Sequence, residues 1–312
     1  MCKKVIFCGD IGVNIILETK RPPDPARDHP VVNAHTLPGG SAANTAAIAS
    51  HFKIDSYYMG LIADDIYQDL LLKDLKINDV KLDLVKNVEG KNTLITTLIH
   101  EGEGTTFYSY RGVNGFLEYG PIQPGLTESF DCVHISGYCL QDDASRNTAL
   151  RLIEDTHQTN TLLSFAPSII FSCSDEAQKT NFISNFNIVI PNLEMAQCMT
   201  GEKYVVTAAK TIRNMGPKMV IIKMGKDGCF ISYEDTEIHV PTFPAEKVIN
   251  TLGAGDAFCG AFLASYLNGM RPEDAAKVGN AAAVITIHGS GGHDNMPTKE
   301  KLKAMLPDLT IK

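Results

Sequence analysis

The sequence has no surplus of positive charge to offer a polyanion. Its 28 basic residues face 36 acidic ones over 312 positions, a formal charge of -8. No basic face emerges, so nucleic acid and anionic membrane are excluded as main partners. A phosphorylated small molecule, held by local backbone donors, is not excluded. Apolar runs of membrane-spanning length are missing too. The opening MCKKVIFCGDIGV has neither the core nor the cleavage site of a signal peptide, and a soluble cytoplasmic protein is expected. No CxxC pair occurs among the eight cysteines, at 2, 8, 132, 139, 173, 198, 229 and 259. Several lie in apolar runs, so buried free thiols are expected in place of a zinc site or a disulfide framework. The GxxxxGK[ST] phosphate loop, HExxH and GxSxG are absent, which removes P-loop enzymes and the common zinc-protease and serine-hydrolase signatures. GAGDAFCG misses GxGxxG by spacing and stands near the wrong end of the chain for a Rossmann dehydrogenase.

What is present is ordinary globular composition, 44% hydrophobic and 21% charged, long enough for one large domain or two modest ones. Short apolar runs read as buried strands at 4–9, 131–137, 161–167, 186–192 and 219–225. Helical patterns fall between and after them, at 40–52, 64–76, 144–158, 192–200, 207–215, 254–268 and 273–287. This alternation predicts an α/β fold with a largely parallel sheet covered on both faces, and ligands at the carboxyl ends of its strands. Two stretches break the rhythm. One is 15–38, with the proline-rich RPPDPARDHP; the other is 93–110, two strand-like arms joined at Gly102 to Gly104. Together they predict a small β-layer inserted into the body and placed to act as a lid.

Two glycine-rich stretches open helices. In NTLGAGDAFCG, Gly253 to Gly255 precede an apolar helical run, with Asp256 in its first turn. A helix entry collects unpaired N–H donors and the positive end of the dipole. Such a site is either a helix start with a stabilising acid or an anion hole with a built-in base. In PGGSAANTAAIASHF, Gly39 and Gly40 precede a small-residue helix carrying Asn44. Its amide can both donate to and accept from a hydroxyl, or the stretch can be an ordinary cap with close packing.

Taken together these residues resemble the ribokinase-like, or phosphofructokinase-B-type, carbohydrate and nucleoside kinases. GGSAAN, IPNLEMAQCMTG, MGKDG and NTLGAGD match the family's motifs in order over most of the chain. The resemblance implies a three-layer α/β/α sandwich with a mostly parallel central sheet and a small β-sheet lid. Residues 1–14, 39–92 and 119–312 would form the body, and 15–38 and 93–118 a discontinuous lid. It implies that Asp256 takes a proton from the acceptor hydroxyl as that oxygen attacks the γ-phosphate of ATP. The N–H groups of Gly253, Ala254 and Gly255 would hold the charge on the transferred group. A carboxylate beside such donors is expected to keep a low pKa.

Further roles follow from the same resemblance. Asp10, Asn14, Gly39, Gly40 and Asn44 would line the acceptor site, and Arg111 would reach an acidic acceptor or stand solvated. Asn192, Lys223, Gly225, Gly228, Asn280 and Gly291 would shape the nucleotide site, with Mg²⁺ and a K⁺ ion near Thr251. Three positions depart from the family. Asn14 stands where many members carry aspartate, Met195 where they carry the glutamate that orders Mg²⁺, and Lys223 in place of threonine. Glu194, one residue before Met195, is the candidate substitute. A sugar hydroxymethyl group is the expected acceptor and a nucleoside the alternative. A non-catalytic sensor is the third reading, and a homodimer through the lid is expected.

Overall fold

The computed structural model describes residues 2–19, 28–101, 104–116, 118–245, 247–289, 291, 295–307 and 309. Most of the proline-rich run, 21–27, and hairpin-turn positions 102 and 103 lie outside the described residues. The strands are β1 Lys3–Cys8, β2 Gly12–Thr19, β3 Asn33–Gly39, β4 Ile54–Ala63, β5 Val85–Val88, β6 Leu94–Glu101 and β7 Gly104–Tyr110. They continue with β8 Cys132–Ser136, β9 Leu162–Ala166, β10 Ile188–Val189, β11 Met219–Lys223, β12 Cys229–Tyr233 and β13 Thr236–Val240. The helices are α1 Ser41–Ser50, α2 Gln68–Ile77, α3 Val113–Phe116, α4 Asp143–His157, α5 Ile169–Ser172 and α6 Glu176–Ile183. After them come α7 Leu193–Thr200, α8 Val205–Asn214, α9 Ala254–Leu267, α10 Pro272–Thr286 and α11 Lys299–Met305.

Nine strands make one sheet in the order β13-β12-β11-β10-β9-β8-β1-β4-β5. Neighbours from β11 to β5 run parallel, and β12 and β13 add an antiparallel edge. β1 shows why the sheet is buried on both faces. Val5 and Phe7 enter one apolar layer, and Ile6 and Cys8 enter the other. A strand covered on both sides has to be apolar at every core position. The first layer holds Ala46 of α1, Phe258 of α9 and Ala281 of α10, and the second holds Leu152 of α4, Met199 of α7 and Ile212 of α8. The three-layer α/β/α expectation is therefore met.

A second sheet has the order β3-β2-β6-β7, with β2 and β6 parallel and the other pairs antiparallel. Gly12, Val13 and Asn14, placed with the body on sequence, belong to it. Only Gly9, Asp10 and Ile11 separate β1 from β2.

The cysteine expectation needs correction. Cys173 and Cys198 are joined in a disulfide, with Cα atoms 5.4 Å apart, and both residues are exposed. Cys2 is free but exposed, while Cys8, Cys132, Cys139, Cys229 and Cys259 are free and buried. Beside the disulfide, the buried Lys179 ammonium donates to Ser172 O and Met199 O, both at 3.2 Å. Among the described residues no helix is long and apolar enough to cross a membrane.

Candidate active site

Two helices bring their N-termini side by side at the carboxyl end of the main sheet. They are α1, which opens after Gly39-Gly40, and α9, which opens after Gly253. Their contact is close because it is built from small residues. A methyl group on Gly260 of α9 would come 2.6 Å from Thr45 O of α1. Gly40 sits at φ 100°, where L side chains are strained, and an added Cβ would lie 2.5 Å from Asp10 O. This junction therefore requires glycine.

Asp256, in the first turn of α9, points across to α1. Ser41 Oγ donates to its Oδ1 at 2.8 Å, and Asn44 Nδ2 donates to its Oδ2 at 2.9 Å. Ser41 and Asn44 are three positions apart, so they share one face of α1. Asn44 Oδ1 is buried and accepts no hydrogen bond. Burial pushes the Asp256 carboxyl above the ordinary carboxylate range, and Asp10 adds to the rise. The bonds from Asn44 and Ser41, and the Lys223 ammonium, pull the other way. This corrects the expectation of a low pKa: local donors do not outweigh desolvation here.

Asp10 is 6% exposed and completes the floor. It accepts from Ser136 Oγ at 3.3 Å and from the Ser41 N–H at 3.4 Å. Asn14, buried in β2, lays its amide over Gly39, where any side chain would collide with it. Ile16 and Leu98 are buried on the same face of the small sheet as Asn14. Strand alternation adds Ser109 and Phe107, which pair with Thr96 and Leu98, to that face. Tyr108 and Tyr110 point the other way. Tyr138, just past β8, feels both Asp256 and Asp10, and burial with these charges holds its hydroxyl up at about 12. Arg111 is neither free nor solvated. Its Nε donates to Asp142 Oδ2 at 3.0 Å and its Nη2 to Tyr138 O at 2.9 Å.

A family model for the pfkB family of carbohydrate kinases matches residues 3–299. The chain belongs to that family. This makes it a kinase with an alcohol group as acceptor. An uncharacterised sugar kinase of Archaeoglobus fulgidus is 28% identical, covering 80% of this chain and 97% of the relative. A ribokinase structure from Thermotoga maritima superposes with TM-score 0.85 at 22% identity, over 99% of this chain and 100% of that one. A nucleoside kinase structure from Methanocaldococcus jannaschii gives 0.84 at 20%, over 98% and 99%. Both structures resemble the chain in fold.

Within this pfkB-family kinase the remaining sequence candidates are spread along the rim. Gly253 is left-handed and caps α9, and the Ala254 N–H donates to Thr251 O over 3.3 Å. By helix geometry the N–H groups of Gly255 and Asp256 have no acceptor within the helix. Lys223, at the end of β11, turns its ammonium into this first turn, donating to Gly255 O at 3.3 Å and contacting Cys259 Sγ at 3.5 Å. A cation here opposes the helix dipole, which leaves the turn strongly electropositive. Asn192 caps α7, its Oδ1 accepting from the Met195 N–H at 2.7 Å, and pairs by a backbone bridge with Lys223. Glu194 is exposed in the first turn of α7.

Gly225 and Gly228 flank a short turn between β11 and β12. Asn280 is committed to structure, its amide donating to Val240 O at 3.1 Å and Pro241 O at 3.2 Å. Gly291 lies under Leu37 of β3, against the small sheet. Ser41, Ser136 and Tyr138 went unassigned on sequence. The i, i+3 spacing of Ser41 and Asn44 was the available signal for the first. The other two come from a strand end that only the folded topology sets beside Asp10.

Proposed function

We propose that this enzyme moves the γ-phosphoryl group of ATP to a hydroxymethyl group of a small sugar. The observation that carries the reading is the half-buried Asp256 carboxylate at the mouth of α9, hydrogen-bonded to Ser41 and Asn44 of α1. The acceptor hydroxyl would displace Ser41 from Oδ1 and give its proton to Asp256. Asn44 Oδ1 would accept from a second hydroxyl, and Asp10 and Asn14 would line the same cavity. Charge on the transferred group would fall on the amides of Gly253, Ala254 and Gly255. The long Ala254 bond to Thr251 is weak enough to yield to a phosphoryl oxygen. Lys223, Asn192, Gly225 and Gly228 lie along the rim that would receive the nucleotide.

Among the described residues no cluster of three His, Cys, Asp or Glu side chains forms a metal cage. A Mg²⁺ held mainly by substrate phosphates and water would need no such cage. Glu194 would hold part of its water shell, and the ion when bound would offset phosphate charge. A K⁺ ion near Thr251 is the further expectation, tested by activity with and without the salt.

A nucleoside acceptor is the second reading, and Phe107 favours it. Its ring is 56% exposed on the face of the small sheet that carries Asn14, where it could cover a base. The outer Tyr108 and Tyr110, both exposed, suit a homodimer through the small sheet, to be checked by light scattering. The deciding experiment is a coupled ADP-release assay with MgATP and ribose, fructose, 2-keto-3-deoxygluconate, fructose 6-phosphate, adenosine, inosine or cytidine. Sugar turnover supports the first reading, and turnover on nucleosides alone moves the assignment to the second. Binding without turnover on any acceptor would overturn both and leave a sensor.

A further inference from the structure

Ser41 presents its hydroxyl to Asp256 in the manner that the proposed mechanism requires of an acceptor. The Oγ donates to Oδ1 at 2.8 Å. This is the hydrogen bond a general base makes with the proton it removes. Ser41 is the first residue of α1, only half-buried, and its oxygen faces the N-terminal turn of α9. Two helix N-termini therefore converge on this oxygen, with the Lys223 ammonium behind one of them. Those are the surroundings that stabilise a phosphate ester, and opposing them are the carboxylates of Asp10 and Asp256.

We propose that, when no acceptor is bound, the enzyme phosphorylates its own Ser41. The idea rests on the kinase reading of this site given above. Ser41 Oγ attacks the γ-phosphorus of the bound nucleoside triphosphate. An oxygen–phosphorus bond forms to the serine as the bond to the β,γ-bridging oxygen breaks, and the nucleoside diphosphate leaves. The serine proton passes to Asp256 Oδ1. No oxidant, reductant or further reactant is needed. The product sits where the acceptor hydroxyl would bind, beside Asn44 and Asp10. It therefore closes the acceptor site by bulk and by charge, and the modification is self-limiting. An acceptor that displaces Ser41 from Asp256 protects the chain from it.

The reaction takes place within one molecule, so its first-order rate constant does not depend on enzyme concentration. The test incubates the full-length protein with MgATP and no acceptor, followed by intact-mass measurement and peptide mapping. The expected result is a gain of a single phosphoryl group, mapped to Ser41 and suppressed by the acceptor that turns over in the ADP-release assay. Ser41→Ala should lose the gain, Ser41→Thr should keep it, and Asp256→Asn should lose it together with acceptor turnover. Thermal melting confirms that each variant is folded. Acceptor turnover with no added phosphate on the wild-type chain overturns the proposal and leaves the kinase reading intact. A gain that persists in Ser41→Ala overturns it as well. Loss of both activities in the wild-type protein sinks the kinase reading and this inference with it.

Discussion

The proposed role of Asp256 sets two demands against each other: as a base it would have to be charged to accept a proton, and it sits where charge is costly. Asp256→Asn should lower kcat by about 10²–10⁴-fold, the usual range for a lost general base. Acceptor binding, read by calorimetry, should survive. The same variant should melt higher than wild type at neutral pH. A carboxyl whose folded pKa lies above its unfolded value gives stability that is present at low pH and lost as pH rises through the folded pKa. The gain should therefore shrink below the ordinary aspartate pKa of about 4. Asn44 has an unpartnered Oδ1, so turning its amide over would satisfy the new side chain. Lys223 acts on the same balance. Lys223→Met removes an attraction that lowers the Asp256 pKa, so the acid limb of the kcat/KM profile should move to higher pH. An unmoved limb would show that the ammonium does not reach the base. Asp256 and Asn44 were legible in the sequence because their motifs are local. The raised pKa was not, because desolvation depends on what the fold stacks over the carboxylate.

At the scale of elements, α1 and α9 hold the site by touching almost backbone to backbone. Gly260→Ala would push Thr45 away and should cost roughly 1–3 kcal/mol as overpacking, read by urea unfolding. Activity should fall further than stability, because the displacement separates Asp256 from Ser41 and Asn44. The seven helices expected on sequence all form, with ends shifted by a few residues, since each had a long periodic face. Strands fared less evenly. The run at 186–192 forms a regular strand only over Ile188–Val189, because Pro191 and Asn192 turn the chain into α7 after a single further bridge to Lys223. β4 escaped notice although it pairs along the whole length of β1. Its IDSYYMGLIA mixes polar and small residues with apolar ones and gives no clean run. The Cys173–Cys198 bond was hidden because α5 and α7 become neighbours only through adjacent strands β9 and β10. With its ends 25 positions apart in sequence, chain entropy assigns it about 3.5 kcal/mol. Dithiothreitol should therefore lower the melting temperature, and Cys173→Ser should melt at the lower temperature with or without it.

The whole molecule is a nine-stranded α/β/α body with a four-stranded sheet attached to it. The small sheet joins the body at Gly9–Ile11, at Gly39-Gly40 and at the two ends of its hairpin. A groove of about 860 Å³ lined by Thr161, Asn187, Arg213 and Lys218 lies at the opposite ends of β9 to β11, away from every group that the proposed chemistry uses. The architecture was the most legible part of the sequence, because alternation of elements constrains topology more than any single residue does. Which face of the small sheet looks inward was not legible, because Phe107 and Tyr108 are equally apolar candidates and only the register with Asn14 separates them. That inward ring has a practical consequence. The chain contains no tryptophan, so its ultraviolet emission is otherwise that of tyrosine. Replacing Phe107 by tryptophan would place a lone indole over the rim. Its emission colour would test whether the sheet moves onto a bound molecule, even one that is never turned over.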